Sequence, residues 1–235
     1  MSNSANEQQL REQICLIGQL MHRSQYIDGA SGNISARLDA ERILTTPSGL
    51  AKGFMTPDQL IIVDLDGMVL SAGDGLRPTS EIVMHLECYR QRPDVGGVVH
   101  AHPATAIALT VAGIPLAQVL IPEMVITLGV VPTLPYATPA SDENRRLIAE
   151  AVREHDALLL AFHGSLTAAK NVWDAYLRLE SLEHAARIVF MVAQLGGARH
   201  TLSGEQVEKL LAIRAKLGLL RPGDAERFQQ ALNTL

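Results

Sequence analysis

Apolar residues recur at helical spacing near the start of the chain. Leu10, Ile14, Ile17 and Met21 share one face of a helix predicted to run to about Arg23, with Ser4 and Glu7 as a capping-box signature. Gly29-Ala30-Ser31-Gly32-Asn33 is small and turn-forming, and it leads into Ile34 to Leu38, which alternates as a half-buried strand does. Another strand is expected around Ile43 to Thr45, entering the loop Thr46-Pro47-Ser48-Gly49. Leu60 to Asp64 and Met68 to Leu70 flank Asp66-Gly67, a strong hairpin signal, so the first third reads as mainly antiparallel sheet.

Beyond Pro78, either Thr79 or Ser80 can cap a helix running to about Arg92, which places Glu81 in its first turn. Gly97 to Ala101 is a short apolar strand, Ala104 to Ala112 a helix, and Met124 to Leu134 reads as strand-rich, broken by Gly129 and Pro132. Ser141 to Arg153 is helical, and the apolar run Ala157 to Phe162, ending at His163-Gly164, is expected to be a central buried strand. Asn171 to Leu195 is a long helix stopped by Gly196-Gly197, and Ser203 with Gln206 opens what reads as the final helix. No repeat, low-complexity stretch or linker intervenes. The expectation is one domain over residues 1–235, of the α/β class: three layers, with a central mixed, mostly antiparallel sheet and helices on both faces.

Composition narrows the function. The 235 residues are 47% hydrophobic and 19% charged, enough for a single core that buries on the order of 70% of the unfolded surface, so folding needs neither disulfide nor structural metal. Any metal would serve function. With 20 Lys+Arg against 25 Asp+Glu and no dense basic run, a nucleic acid or an anionic membrane is not the expected partner, and a small molecule is. Cys15 and Cys88 are too far apart for a thiolate motif, and no basic segment precedes an apolar one at the N-terminus, which together fit a reducing cytoplasm. Val95 to Pro122 carries no charge, but Gly96, Gly97, Pro103, Gly113 and Pro115 break it into core elements and argue against a membrane helix.

His100 and His102 are two apart in a predicted strand, so both rings can reach one ion or, alternatively, face solvent as ordinary polar residues. His163, at the end of another apolar run, would need a partner there, and three neutral imidazoles with an open position form the ligand set of a catalytic zinc ion. His22, His85, His155, His184 and His200 read as structural or solvated. Glu81 is either an ordinary first-turn carboxylate or a base beside a helix start whose N-H groups, with Thr79 and Ser80, can cradle a phosphate. Asn33 and Ser48-Gly49 offer further donors, or are simply turns. None of Lys52, Lys170, Lys209 and Lys216 lies in an apolar strand that would lower its pKa, which argues against a Schiff-base aldolase.

In order and spacing, Gly32-Asn33-Ile34-Ser35, Thr46-Pro47-Ser48-Gly49, Pro78-Thr79-Ser80-Glu81, His100-Ala101-His102 and His163-Gly164 resemble the class II aldolase/adducin superfamily over roughly Gln9 to Gly197. The resemblance implies a divalent metal on His100, His102 and His163, usually Zn2+ with Mn2+ or Co2+ as alternatives. It also implies Glu81 as acid/base, a substrate phosphate among Asn33, Ser48, Gly49, Thr79 and Ser80, and a homotetramer with active sites between subunits. The activity it implies is aldolase-type cleavage of a carbon-carbon bond in a phosphorylated sugar or related hydroxy-keto compound, through an enediolate that the metal stabilises. Fuculose-phosphate aldolases of this superfamily carry catalytic tyrosines after the metal-strand region and in the C-terminal tail. Gly113 to Leu128 here has none, and the tail has Lys216-Leu217-Gly218-Leu219, so the group exchanging a proton with the departing aldehyde is unassigned. Ribulose-phosphate 4-epimerases are similar but have Asp where this chain has Glu81. Decarboxylases and a dehydratase share the metal motif, and Glu123 either joins the site in that reading or is a loop carboxylate. A non-catalytic, adducin-like interaction protein is the remaining alternative, disfavoured because such members lack the metal histidines.

Overall fold

The structure, a computed structural model, describes residues 3–116 and 119–233. Helix α1 (Asn3–Arg23) is followed by strands β1 (Asn33–Arg37), β2 (Arg42–Thr45), β3 (Ile61–Asp64) and β4 (Val69–Ser71), then α2 (Ile82–Gln91), β5 (Gly97–Ala101) and α3 (Ala104–Ala112). The second half holds β6 (Thr133–Leu134), α4 (Asp142–Ala151), β7 (Ala157–Leu160), β8 (Gly164–Ala169), α5 (Val172–Gln194), α6 (Gly204–Lys216) and α7 (Asp224–Asn233). The eight strands form one sheet in the order β4-β3-β2-β1-β5-β8-β7-β6, antiparallel throughout except for the parallel β6–β7 pair. This is the mixed, mostly antiparallel sheet expected from the pattern.

Strand alternation divides the core into layers. Ile34, Ala36, Val99 and Ala101 pack with α1 and α5, whereas Ile43, Ile61, Val63 and Val98 pack with α2, and Leu158 and Leu166 join them beside α4. Helix α3 and the second half of α5 cover Ala157 and Leu159 on the α5 side. The same alternation turns Asn33, Ser35 and His100 toward α2, where all three are buried. Polar residues at those strand positions need partners from that helix.

Several elements differ from the sequence reading. Met124 to Leu128 is a single π-helical turn, and only Thr133–Leu134 of that stretch is strand. Met124, Val125 and Leu128 are buried at helical spacing there, and a short apolar run cannot by itself distinguish helix from strand. Ala157 to Leu160 is wholly buried but lies next to the sheet's edge strand, and the neighbour nearer the centre is β8. β8 is made mostly of small residues, with Thr167 its one β-branched side chain, which is why propensity missed it. Helix α6 is not the last: α7 follows, held by the buried Arg214–Asp224 pair at 2.8 Å. Ser203 and Gln206 form the predicted capping box of α6, while the Ser4 signature of α1 involves side chains outside the described set. Cys15 and Cys88 are free and buried, and burial pushes the thiols up to about 11 and about 12. No helix among the described residues is long and apolar enough to cross a membrane.

Candidate metal and substrate site

Three loops meet at the end of the sheet where β1, β5 and α2 converge. Thr46 is tied to β1 by its N-H, which donates to Ile34 O (3.0 Å), and by its hydroxyl, which accepts the Ile34 N-H (3.2 Å). The 46–48 loop is tied to the 77–79 loop by Thr79 N-H to Thr46 O (3.2 Å) and Ser48 N-H to Arg77 O (2.8 Å). These bonds bring Asn33, Ser48, Gly49, Thr79 and Ser80 into one neighbourhood. Thr79 and Asn33 are buried; Ser48, Gly49 and Ser80 are exposed. Neither Thr79 nor Ser80 caps α2. Glu81 itself occupies the N-cap position, so the helix starts one or two residues later than expected, and the Thr79 hydroxyl accepts the Glu81 N-H at 3.3 Å.

Lys52 corrects the lysine argument. Although it lies in a short 3-10 turn, its side chain is buried, and burial lowers the ammonium to about 8 despite the opposing pull of Glu81. Its head donates to Ala30 O (2.7 Å) and Leu50 O (2.8 Å), stitching the 29–33 and 46–50 loops together. A lysine can therefore be desolvated without sitting in a strand. Engaged by two backbone carbonyls, it stands as a loop anchor.

His100, at the end of β5, His102, just beyond it, and His163, in the β7–β8 turn, converge with Glu81 so that their ligand atoms lie within 4.8 Å of one another. His100 and His102 approach at 3.0 Å through their Nε2 atoms, and Glu81 lies 3.3 Å from His100 Nε2 and 3.3 Å from His163 Nε2. A tetrahedral ion with bonds of ~2.1 Å would hold its ligand atoms about 3.4 Å apart, close to these spacings. The donor chemistry fits as well. His100 Nδ1 faces the Ser165 carbonyl at 2.8 Å and must carry the hydrogen, which leaves Nε2 of the neutral ring as a bare lone pair. Glu81 Oε1 is buried without a hydrogen-bond partner, as expected of an atom whose partner is a cation.

Electrostatics favour that state. Burial and the neighbouring rings push His102 down to about 4, and burial also lowers His163, so both stay neutral near pH 7. Burial opposes ionisation of Glu81, but positive charge at His100 and His163, which a bound ion would supply where the rings are neutral, and the Asn33 amide outweigh it and hold the carboxyl at about 2. Gly164 permits the closeness: a Cβ there would lie 2.3 Å from Ala101 O and 2.9 Å from the His102 ring. Gly32, at φ +71, likewise allows the loop to turn under His100.

Behind Glu81 runs a buried polar row that the sequence reading missed, having placed His85 among the structural or solvated histidines. Asn33 Nδ2 donates to Glu81 Oε2 (3.0 Å), and Asn33 Oδ1 meets His85 Nε2 (2.5 Å). His85 Nδ1 meets Ser35 Oγ (2.7 Å), which meets the Tyr89 hydroxyl (2.8 Å). The available signal was the spacing: Glu81, His85 and Tyr89 recur every fourth residue, opposite Asn33 and Ser35 at every second. Four helical residues advance about 6.0 Å and two strand residues about 6.7 Å, so the rows stay in step. Glu123 is exposed and stands outside the metal cluster, at the start of the π turn. An open cleft of about 920 Å³ reaches His102, with Arg23 and Asp28 on its wall.

The sequence profile of the class II aldolase and adducin N-terminal domain matches residues 12–190, and the chain belongs to this family. Its named relatives are enzymes. A 3-oxo-tetronate 4-phosphate decarboxylase of Escherichia coli K12 is 32% identical over 86% of this chain and 95% of its own length. An L-fuculose phosphate aldolase of Methanococcus maripaludis is 30% identical over 76% of this chain and 95% of its own. Among solved structures, YgbL from Klebsiella pneumoniae superposes with a TM-score of 0.79 at 30% identity, covering 87% of this chain and 98% of that one.

Proposed function

We propose that the chain is a metal-dependent aldolase-type lyase that cleaves a carbon-carbon bond of a phosphorylated sugar or related hydroxy-keto compound. The observation that carries this reading is the convergence of His100, His102 and His163 on the Glu81 carboxylate. A divalent ion on the three imidazoles, zinc by the nitrogen-rich donor set, would supply Lewis-acid stabilisation of the charge that substrate oxygens acquire when the bond breaks. Asn33, Ser48, Gly49, Thr79 and Ser80 hold the substrate phosphate at the start of α2, where free N-H groups favour an anion, and so orient the bond to be broken. Glu81 carries a proton to the carbon that keeps the electron pair. The working unit in this proposal is the single domain 1–235, assembled as a cytoplasmic homotetramer with sites between subunits.

Decarboxylation is the second reading, and a specific observation favours it. Tyr26, Tyr89 and Tyr176 are buried, with Tyr89 bonded to Ser35 and Tyr176 to Glu180. Tyr136 is exposed and packs on Phe162. The described cluster thus holds one acid/base, Glu81, and no tyrosine. Loss of carbon dioxide needs one proton, delivered to the remaining carbon, and none exchanged with the departing group.

The experiment begins with metal content per chain by elemental mass spectrometry on protein purified without a tag. The zinc-loaded protein is then assayed with ketose 1-phosphates and 3-oxo acid phosphates, scoring aldehyde against carbon dioxide. About one ion per chain and release of aldehyde supports the aldolase; carbon dioxide moves the assignment to decarboxylase. A protein that binds no added zinc, cobalt or manganese overturns both.

A further inference from the structure

We propose that His85, backed by Ser35 and Tyr89, is a positioning residue for Glu81, acting through Asn33; the inference rests on the acid/base role proposed for Glu81. Donor and acceptor inventory fixes the direction of the buried row. Asn33 presents its NH2 to Glu81 Oε2, at 3.0 Å, and turns its carbonyl to His85. His85 Nε2, at 2.5 Å from that carbonyl, must therefore carry the hydrogen. In a neutral ring Nδ1 is then the acceptor, which makes Ser35 its donor and leaves the Ser35 oxygen to accept from the Tyr89 hydroxyl. Each hydrogen bond in the row points toward Glu81.

The far end is closed. Tyr89 is 2% exposed, and burial raises its pKa, so the row has no outlet through which a proton could leave. It holds a carboxylate in place and does not conduct protons away from it. Removing the His85 donor would free the Asn33 carboxamide to turn and would let Glu81 Oε2 move, while the three histidines keep their own supports: Ser165 O for His100, the bond from the His102 N-H to Tyr26 O, and the β7–β8 turn for His163. Geometry at the proton-transfer atom should suffer, and metal capacity should not.

Two readouts test this. In spectra of 15N-histidine-labelled wild-type protein, one ring, assigned by its disappearance in His85→Gln, should be the neutral Nε2-H tautomer from pH 6 to 8, by the direction derived above. The Nδ1-H tautomer would overturn the proposal, because Asn33 would then face Glu81 with its carbonyl, and so would a protonated ring, because Nδ1 could no longer accept from Ser35. For kinetics, zinc-loaded His85→Leu should keep its zinc, and its KM for the ketose 1-phosphate or 3-oxo acid phosphate that the wild type turns over should rise far less than its kcat falls, since Asn33 is only one of the groups proposed to hold the phosphate. Its kcat should fall about 100-fold, the scale of a misplaced catalytic group. His85→Gln, which restores an N-H toward Asn33, should recover most of that loss. A His85→Leu enzyme as fast as wild type, or equal losses in both variants, would overturn the positioning role. A wild-type enzyme inactive on every probe would sink the lyase reading, while the tautomer still decides the direction of the row.

Discussion

Asn33 and His100 stand directly opposite each other in the antiparallel pairing of β1 and β5, and both reach the same oxygen of Glu81. The Asn33 amide approaches Oε2 at 3.0 Å and His100 Nε2 at 3.3 Å. Sheet register thus sets the geometry of the carboxylate. A slip of β1 by one residue against β5 would turn Asn33 to the α1 and α5 face, where Ile34 now packs, and leave His100 alone beside α2.

His102→Ala should lose most bound metal while the protein stays folded, because His102 lies beyond the end of β5 and contributes little to the core. Elemental analysis and a thermal melt check this together. Unchanged metal content would remove the three-histidine site.

Glu81→Gln should keep the fold and lower kcat by roughly 10²–10⁴-fold, the usual contribution of a positioned acid/base. The measurement is turnover of the metal-loaded variant at saturating substrate. Full activity would show that the proton moves by another route.

Gly164→Ala should weaken metal binding at least tenfold, by the argument that a few tenths of an ångström matter in a close-packed interior. The new methyl would stand 2.3 Å from the Ala101 carbonyl and 2.9 Å from the His102 ring, so β8 must shift away from β5 and carry His163 with it. A zinc competition titration gives the affinity, and an unchanged value would mean that the turn absorbs the methyl.

Burial pushes His85 from its ordinary 6.5 down to about 3. Between those values the unfolded chain binds a proton that the folded chain refuses, so the stability contribution is complete above pH 6.5 and is lost as pH falls. Replacing the imidazole by Gln should flatten the stability profile in this window by up to about 1.4 kcal/mol per pH unit. Urea melts of wild type and His85→Gln from pH 4 to 7 provide the comparison, and parallel profiles would contradict a buried neutral ring.

Arg214→Ala should destabilise the protein by about 3 kcal/mol, the lower end of the cost of breaking a buried pair, because Asp224 keeps Arg227 at 3.0 Å and the Arg221 N-H at 2.8 Å. Arg214 is 1% exposed, pairs with Asp224 at 2.8 Å and donates to Ile126 O, joining α6, α7 and the π turn. Denaturant unfolding would register the loss.

Much of this was written in local pattern. Helices α3 and α5 and strands β1, β2 and β5 lie within a residue or so of where periodicity, caps and breakers placed them, because those signals are short-range. The three histidines and Glu81 were visible as residue types in unusual settings, a His-x-His in an apolar strand above all. β8 was not visible, since Gly164-Ser165-Leu166-Thr167-Ala168-Ala169 owes its strand conformation to pairing with β5 and β7 and not to its own propensity. The burial of Lys52 and the role of His85 were equally hidden. Each depends on what lies across a gap of many residues: Ala30 for Lys52, Asn33 and Ser35 for His85. The chain alone determines which residues can ligate a metal, cradle an anion or exchange a proton, because that is side-chain chemistry. Only the tertiary structure decides that His163 joins the other two histidines, that Asn33 shares a carboxylate oxygen with His100, and that a row of neutral donors backs the carboxylate, because distance and direction between remote segments are set by sheet register and helix packing.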